Sequence, residues 1–183
     1  MSFHFADIAR HAAADGAVSE AEILELRRAG WADGRMNRAE AEALFSAQAA
    51  LAEPTREWSD FFVEALQHYL LEGTAPRGYA TDADCDWLIA QIEADGRIAS
   101  LTELELVSRI IEKALNVPER LKLWALATLE HAVLTGSGPT RDGGMLDATC
   151  ITASECTLIR RVIFGSGGDG PAAVSQREAE MLF

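Results

Sequence analysis

The chain has 183 residues, of which 49% are hydrophobic and 25% are charged, a composition typical of a water-soluble globular protein with a buried core. It carries 16 basic and 29 acidic residues, so its formal net charge is −13. This charge disfavours nucleic acid and anionic membrane surfaces as partners, because both would repel the protein. It is compatible with cation binding, or with solubility alone.

The sequence also predicts a cytoplasmic protein without membrane insertion. No apolar run approaches the roughly 18 residues of a membrane span, and the first residues lack the basic and apolar regions of a secretory signal. Cys85, Cys150 and Cys156 form no CxxC pair, and no histidine has zinc-ligand spacing to them. This pattern favours free thiols in a reducing compartment.

Apolar residues recur at helical spacing, whereas the alternating patterns of strands are absent. Trp58, Phe62, Leu66 and Leu70 form one apolar stripe with a spacing of four residues. We therefore predict an all-α fold, a compact bundle of about nine helices in a single domain of residues 1–183. In chain order the helices are expected at residues 3–14, 19–31, 37–51, 55–72, 81–94, 100–114, 118–135, 152–164 and 175–183.

Two tandem segments of the chain are similar to each other. "GAVSEAEILELRRAGWADGR" at 16–35 aligns without a gap with "GYATDADCDWLIAQIEADGR" at 78–97. After one inserted residue the match continues, which predicts two similar halves at 16–76 and 78–139 and a partial third repeat at 150–183. The halves meet at a linker, residues 72–80, and residues 136–150 are expected to form a surface loop.

Each predicted unit begins its helices with the same local motif. A Ser, Thr or Asn stands three residues before an acid, the arrangement of a capping box at a helix N-terminus. The six pairs are Ser19/Glu22, Asn37/Glu40, Thr81/Asp84, Ser100/Glu103, Thr152/Glu155 and Ser175/Glu178. The glycine of each neighbouring Asp-Gly pair can adopt the positive φ with which many helices end. Most of the repeated motif is therefore explained by helix starts and stops.

The same motif has part of the spacing of a calcium-binding EF-hand loop. The segments Asp15–Glu22 and Asp33–Glu40 match the second half of such a loop. The ligands expected earlier in the loop are missing, since His11 and Ala13 stand there in the first segment. A single loop cannot supply the oxygen ligands that calcium requires, and the EF-hand is rejected.

A cation site shared between several turns remains open. The Asp-Gly turns could bring six acids together, and hard divalent cations bind such oxygen clusters. The candidate metal ligands are Asp15, Glu22, Asp33, Glu40, Asp95 and Glu103. The candidate ions are calcium, magnesium, manganese and zinc. The simpler alternative is that the glutamates only cap helices and the aspartates are solvated.

The segments "AAADGAVSEAE", "WADGRMNRAEAE" and "EADGRIASLTELE", within an acidic helical chain, resemble the TerB-like family associated with tellurite resistance. The resemblance is strongest over residues 5–51 and 81–114 and implies a bundle of two similar helical halves. It also implies acids at the helix-joining turns that hold a divalent metal, and a stress-linked role rather than a defined reaction. The acid at Glu103, displaced by one residue, and the long segment 136–150 depart from the simple pattern.

Motifs of an active site are not apparent in the sequence. His68 and His131 stand at equivalent places in the two halves, but the Glu-x-x-His motif of di-iron bundles is absent. Both histidines are expected to be half-buried. The four tryptophans, Trp31, Trp58, Trp87 and Trp124, are expected to anchor the core.

Three functional hypotheses follow. The first is a non-enzymatic cytoplasmic module that binds a divalent cation. The second is a protein–protein interaction or scaffold module without metal, and the third is a helical enzyme that uses paired carboxylates. The sequence does not decide the oligomeric state.

Overall fold

The computed structural model describes residues 2–12, 14, 16–31, 35–94, 96, 100–136, 138, 140, 151–165, 176 and 179–180. Within these residues the regular secondary structure is helical, apart from one isolated bridge between Tyr79 and Asn116. The predicted all-α fold is confirmed. No helix in the described part of the chain is long and apolar enough to cross a membrane.

Eight α-helices lie close to the predicted ranges. They are α1 (Ser2–Ala12), α2 (Glu20–Gly30), α3 (Arg38–Ala50), α4 (Arg56–His68), α5 (Asp82–Ile92), α6 (Leu101–Lys113), α7 (Glu119–Thr135) and α8 (Ala153–Phe164). The ninth predicted helix, residues 175–183, lies largely outside the described residues. The described residues in this range are Gln176, Ala179 and Glu180, and all three are helical.

The predicted capping boxes explain where the helices begin. Five of them form complete boxes, in which the side chain of the first residue accepts the acid's backbone N–H and the acid accepts the first residue's N–H. They start α2, α3, α5, α6 and α8. The sixth pair, Ser175/Glu178, lies outside the described residues. Each box depends on residues only three apart, which is why the sequence could predict it.

The helix after Thr55 extends to residue 73, close to the predicted end at residue 72, but its last turn is not α-helical. It is α-helical to His68 and then widens into a π-helical segment, Tyr69–Gly73. A Cβ atom on Gly73 would lie 3.5 Å from the Tyr69 ring and 3.7 Å from the Met36 carbonyl oxygen. The wider turn therefore brings Gly73 against the connection between α2 and α3, a tertiary contact that the sequence periodicity does not encode.

The contacts of the chain divide it into two compact units, Met1–Arg77 (unit 1) and Gly78–Phe183 (unit 2), and the boundary falls within the predicted linker 72–80. In unit 1, α1 packs on α2 and α3, and α4 packs on α2 and α3. Its core is rich in aromatic residues: Trp58, Phe61 and Phe62 are fully buried. The single domain and the internal repeat stay predictions.

Unit 2 has a mainly aliphatic core. Helices α6, α7 and α8 pack against one another, and α5 packs on α7. Leu106, Val107, Ile111 and Leu121 are completely buried among them. Arg161 of α8 donates to both carboxylate oxygens of Glu105 at 2.7 and 2.8 Å, which ties α8 to α6.

Three expectations about single side chains were wrong. Trp58 and Trp87 are buried as predicted, but Trp31 and Trp124 are only half-buried. His68 is half-buried, whereas His131 is exposed. Helical periodicity and position in the repeat do not determine how far neighbouring helices cover a side chain.

The two described cysteines are free thiols. Cys85 is buried, Cys156 is exposed, and Cys150 lies outside the described residues. Burial of the thiol, together with the negative charges of Asp84 and its acidic neighbours, raises the pKa of Cys85 to about 12.

Candidate functional site

The candidate site consists of the acids at the turns that begin helices. Of the six predicted ligands, Asp15, Asp33 and Asp95 lie outside the described residues. Glu22, Glu40 and Glu103 are described, and they stand in the first turns of α2, α3 and α6. All three carboxylates take part in capping boxes.

Glu22 is half-buried, and its carboxylate accepts hydrogen bonds from the capping residue Ser19 through one oxygen only. Its Oε2 accepts the Ser19 backbone N–H at 2.8 Å and the Ser19 hydroxyl at 2.6 Å. The Glu22 N–H donates to the Ser19 Oγ at 3.3 Å. Because both bonds to the carboxylate end on Oε2, the geometry of the box leaves Oε1 directed away from Ser19.

Glu40 has the same geometry in a drier environment. It is only 4% exposed, and its Oε2 accepts the Asn37 N–H at 2.9 Å. The Glu40 N–H donates to Asn37 Oδ1 at 3.1 Å. Glu103 is half-buried, and its Oε2 accepts the Ser100 N–H at 2.6 Å. The capping role predicted for these glutamates is thus confirmed.

Glu155, which was not among the predicted ligands, shows how the second oxygen of such a cap can be used. It is fully buried, with 0% exposure, and its Oε2 accepts the Thr152 N–H at 2.7 Å. Its Oε1 accepts the Thr140 hydroxyl at 2.7 Å. A capping glutamate in this protein can therefore bind a second partner without giving up the helix start.

The three described acids are divided between the two units. Glu22 and Glu40 belong to unit 1 and Glu103 to unit 2. In the part of the chain that the structure describes, no group of three or more His, Cys, Asp or Glu side chains is placed to hold a metal ion. Since three of the six predicted ligands lie outside that part, the shared cation site stays a prediction.

A second polar feature of unit 1 lies between α2 and α4. Arg27 Nη2 donates to Glu64 Oε2 at 2.6 Å, and the guanidinium lies 5.1 Å from the centre of the Phe61 ring. The hydrogen bond from Arg27 is the main reason why the pKa of Glu64 is held below its ordinary value, and the same bond raises the pKa of Arg27. The pair is an ion pair of the helix interface.

His68 lies beside this interface. Its ring packs edge-on to Trp31 with 5.8 Å between ring centres, and Trp31 is the residue at which α2 ends. Its Nδ1 atom is buried and has no hydrogen-bond partner among the described residues. The sequence placed His68 on a half-buried face, but nothing in it indicated the unpartnered nitrogen, which depends on the tertiary fit of α2 against α4.

An open groove in unit 2 was also missed by the sequence. It lies between α5 and α7 and has a volume of about 570 Å³. Trp124 stands in it as a half-buried side chain, and its Nε1 donates to Glu93 Oε1 at 2.9 Å. The sequence analysis interpreted Trp124 as a core residue, and the neighbouring Leu123 and Ala127 on the same face of α7 were the available signal for a groove.

Comparison with known proteins identified no significant match to a family model, a curated protein or a solved structure. The resemblance to the TerB-like family therefore stays a prediction that depends on the motifs of this sequence alone.

Proposed function

We propose that the protein is a non-enzymatic, cytoplasmic helical module that binds a divalent cation at its Asp-Gly turns. The ligands are the six acids named above, with Asp33 and Glu40 at the turn between α2 and α3 as the central pair. Calcium, magnesium, manganese and zinc are the candidate ions. A stress-linked or tellurite-resistance role is the extension that the family resemblance implies.

The observation that supports this proposal most strongly is the burial of Glu40. Removing a carboxylate from water is costly unless its charge is compensated. The Asn37 N–H and the positive end of α3 compensate part of it through Oε2. We propose that a cation binds at Oε1 as a second partner of this capping carboxylate, in the way that Oε1 of Glu155 accepts the Thr140 hydroxyl.

The two alternatives differ in their support. The pKa of the Glu64 carboxyl group is lowered by Arg27 in an ion pair. A general acid would need a raised pKa in a pocket, so this observation gives the enzyme hypothesis no support. The interaction module is supported by the open groove between α5 and α7 of unit 2, in which the apolar side chains of Leu123 and Trp124 are only half-buried.

The test is thermal unfolding of chelator-treated protein, titrated separately with calcium, magnesium, manganese and zinc. A ligand that binds only the folded state stabilises it by about 2.7 kcal/mol at 100 times its Kd. For a chain of this size we expect Tm to rise by roughly 5–10 °C for one ion and to saturate.

Matched variants locate the site. Asp33→Ala should abolish the shift, and Glu40→Gln should reduce it while changing stability without metal by no more than about 1 kcal/mol, since glutamine also closes a capping box. Asp60→Asn, on the exposed face of α4, should keep the full shift. A wild-type protein that responds to none of the four ions, or a shift that survives in Asp33→Ala, would refute the proposal.

A further inference from the structure

The floor of the α5–α7 groove of unit 2 is apolar and only partly covered. Ile89 of α5 and Leu126 of α7 form its buried base. Leu123 and Trp124 are half-buried, and Ala127 is exposed. Leu123, Trp124 and Ala127 lie on one face of α7, because residues three and four apart are neighbours on a helix. The small side chain of Ala127 lets another backbone approach this face closely.

The hydrogen bonding of Trp124 allows an apolar partner to cover its ring. Its indole N–H already donates to Glu93, so the polar edge of the ring is satisfied within unit 2. A partner that covered the ring would therefore leave no buried donor without an acceptor. Tryptophans in such positions commonly carry a large share of the binding energy in protein interfaces.

The rim of the groove is acidic. Glu93, Glu130 and Glu180 line it, and all three are exposed. Arg120 also lines the groove, but it forms an ion pair with Asp86. The rim thus presents a net negative charge around an apolar floor, in a chain whose overall charge is −13.

We propose that this groove binds a basic amphipathic helix of a partner protein. The apolar face of the helix packs on Trp124, Leu123 and Ala127. Its Lys and Arg residues pair with Glu93, Glu130 and Glu180. The proposal is independent of the cation site, since it uses other residues and a different kind of ligand. An apolar stripe gives such a contact its affinity, and charge complementarity gives it speed and specificity.

The experiment measures the fluorescence anisotropy of a labelled peptide of about 18 residues, built from Leu, Ala and Lys as an amphipathic helix, titrated with the full chain. We expect saturable binding that weakens as salt screens the rim. A peptide with every Lys replaced by Glu should not bind.

Two exposed positions test the groove without disturbing the core. Ala127→Lys places bulk and positive charge in the floor, and Glu130→Lys reverses one rim charge. Each should weaken binding at least tenfold while leaving Tm unchanged. Glu53→Lys makes the same charge change at an exposed turn of unit 1 and should alter the affinity less than twofold.

Three results would overturn the proposal. The first is the absence of saturable binding to the basic peptide. The second is an equal loss in Glu53→Lys and Glu130→Lys, which would show attraction to the net charge rather than to the groove. The third is a dimer in sedimentation velocity that Ala127→Lys disrupts, which would assign the groove to a second copy of this chain.

Discussion

In the predicted repeat, the contact between α2 and α4 in unit 1 aligns with the contact between α5 and α7 in unit 2. The side chains that meet at the two contacts differ. In unit 1, the rings of Trp31 and Phe61 pack with centres 6.4 Å apart, and Phe61 is fully buried. In unit 2, Glu93 and Trp124 stand at those positions and form a hydrogen bond of 2.9 Å. The aromatic pair of unit 1 is thus replaced in unit 2 by a carboxylate–indole pair that lines an open groove.

The cores of the two units also differ, because unit 1 has larger buried side chains than unit 2 at the aligned positions. Trp58 and Phe62 fill the inner face of α4, where Leu121 and Ala125 occupy the aligned places on α7. The Trp58 indole N–H donates to Gln48 Oε1 at 2.7 Å, so the largest buried ring in unit 1 also carries a buried hydrogen bond. Unit 1 thus concentrates its packing in a few large side chains, and unit 2 distributes it over many smaller ones.

The largest effects on stability are expected when one large buried side chain is removed from each unit, which tests the difference between the two cores. Trp58→Ala should lower the free energy of unfolding by about 3–5 kcal/mol, and Leu121→Ala by about 2–5 kcal/mol with the smaller cavity giving the smaller loss. Urea denaturation measures both. As a control, Trp58→Phe keeps a ring but removes the buried hydrogen bond from the indole N–H to Gln48 Oε1, at a cost of about 1–3 kcal/mol. A larger loss at Leu121 than at Trp58 would contradict the stated difference between the cores.

An intermediate effect is expected at the aligned histidines. His68→Phe should raise the free energy of unfolding by about 1 kcal/mol, because it removes a buried nitrogen without a partner and keeps the ring against Trp31. His131→Phe, on an exposed face, should change it by less than about 0.5 kcal/mol. The same denaturation measurement applies, and a clear loss in His68→Phe would show that Nδ1 has a stabilising partner.

The smallest effect concerns the ion pair between Arg27 of α2 and Glu64 of α4. The pKa of Glu64 lies below its ordinary value of 4.5 in the folded protein, so its pairing with Arg27 stabilises the fold above that pH. The contribution is lost as the pH falls through the lowered pKa. Both side chains are substantially exposed, at 40% and 59%, which limits the effect to under about 1 kcal/mol.

Comparing wild type with Glu64→Gln across a pH series checks this sign. The difference in stability should be largest near neutral pH and should disappear in acid. A difference that grows as the pH falls below 4.5 would be incompatible with a lowered pKa.

The features predicted well from the sequence are those determined by neighbouring residues. The starts of α2, α3, α5, α6 and α8 follow from a capping residue and an acid three positions later. The bounds of the eight described helices fell within two residues of the predicted ones, when α4 is taken together with the π-helical segment that continues it. Capping and apolar periodicity are local, so no knowledge of the tertiary fold is needed to recognise them.

The features missed by the sequence depend on how the helices meet. The π-helical segment Tyr69–Gly73 reflects a contact with Met36, and the unpartnered nitrogen of His68 reflects the fit against Trp31. The exposure of Trp124 depends on the polar residue Glu93, which lies 31 positions away. The candidate ligands were chosen by spacing alone, and spacing locates a helix cap with more certainty than a metal site.

The hydrogen bond between Thr140 and Glu155 has a practical consequence for engineering. It joins two side chains that are 15 residues apart in the sequence. The entropy cost of bringing two points of a chain together grows only with the logarithm of their separation, so doubling the separation costs about 0.6 kcal/mol. We therefore expect the bond between Thr140 and Glu155 to tolerate a change in the number of residues between them.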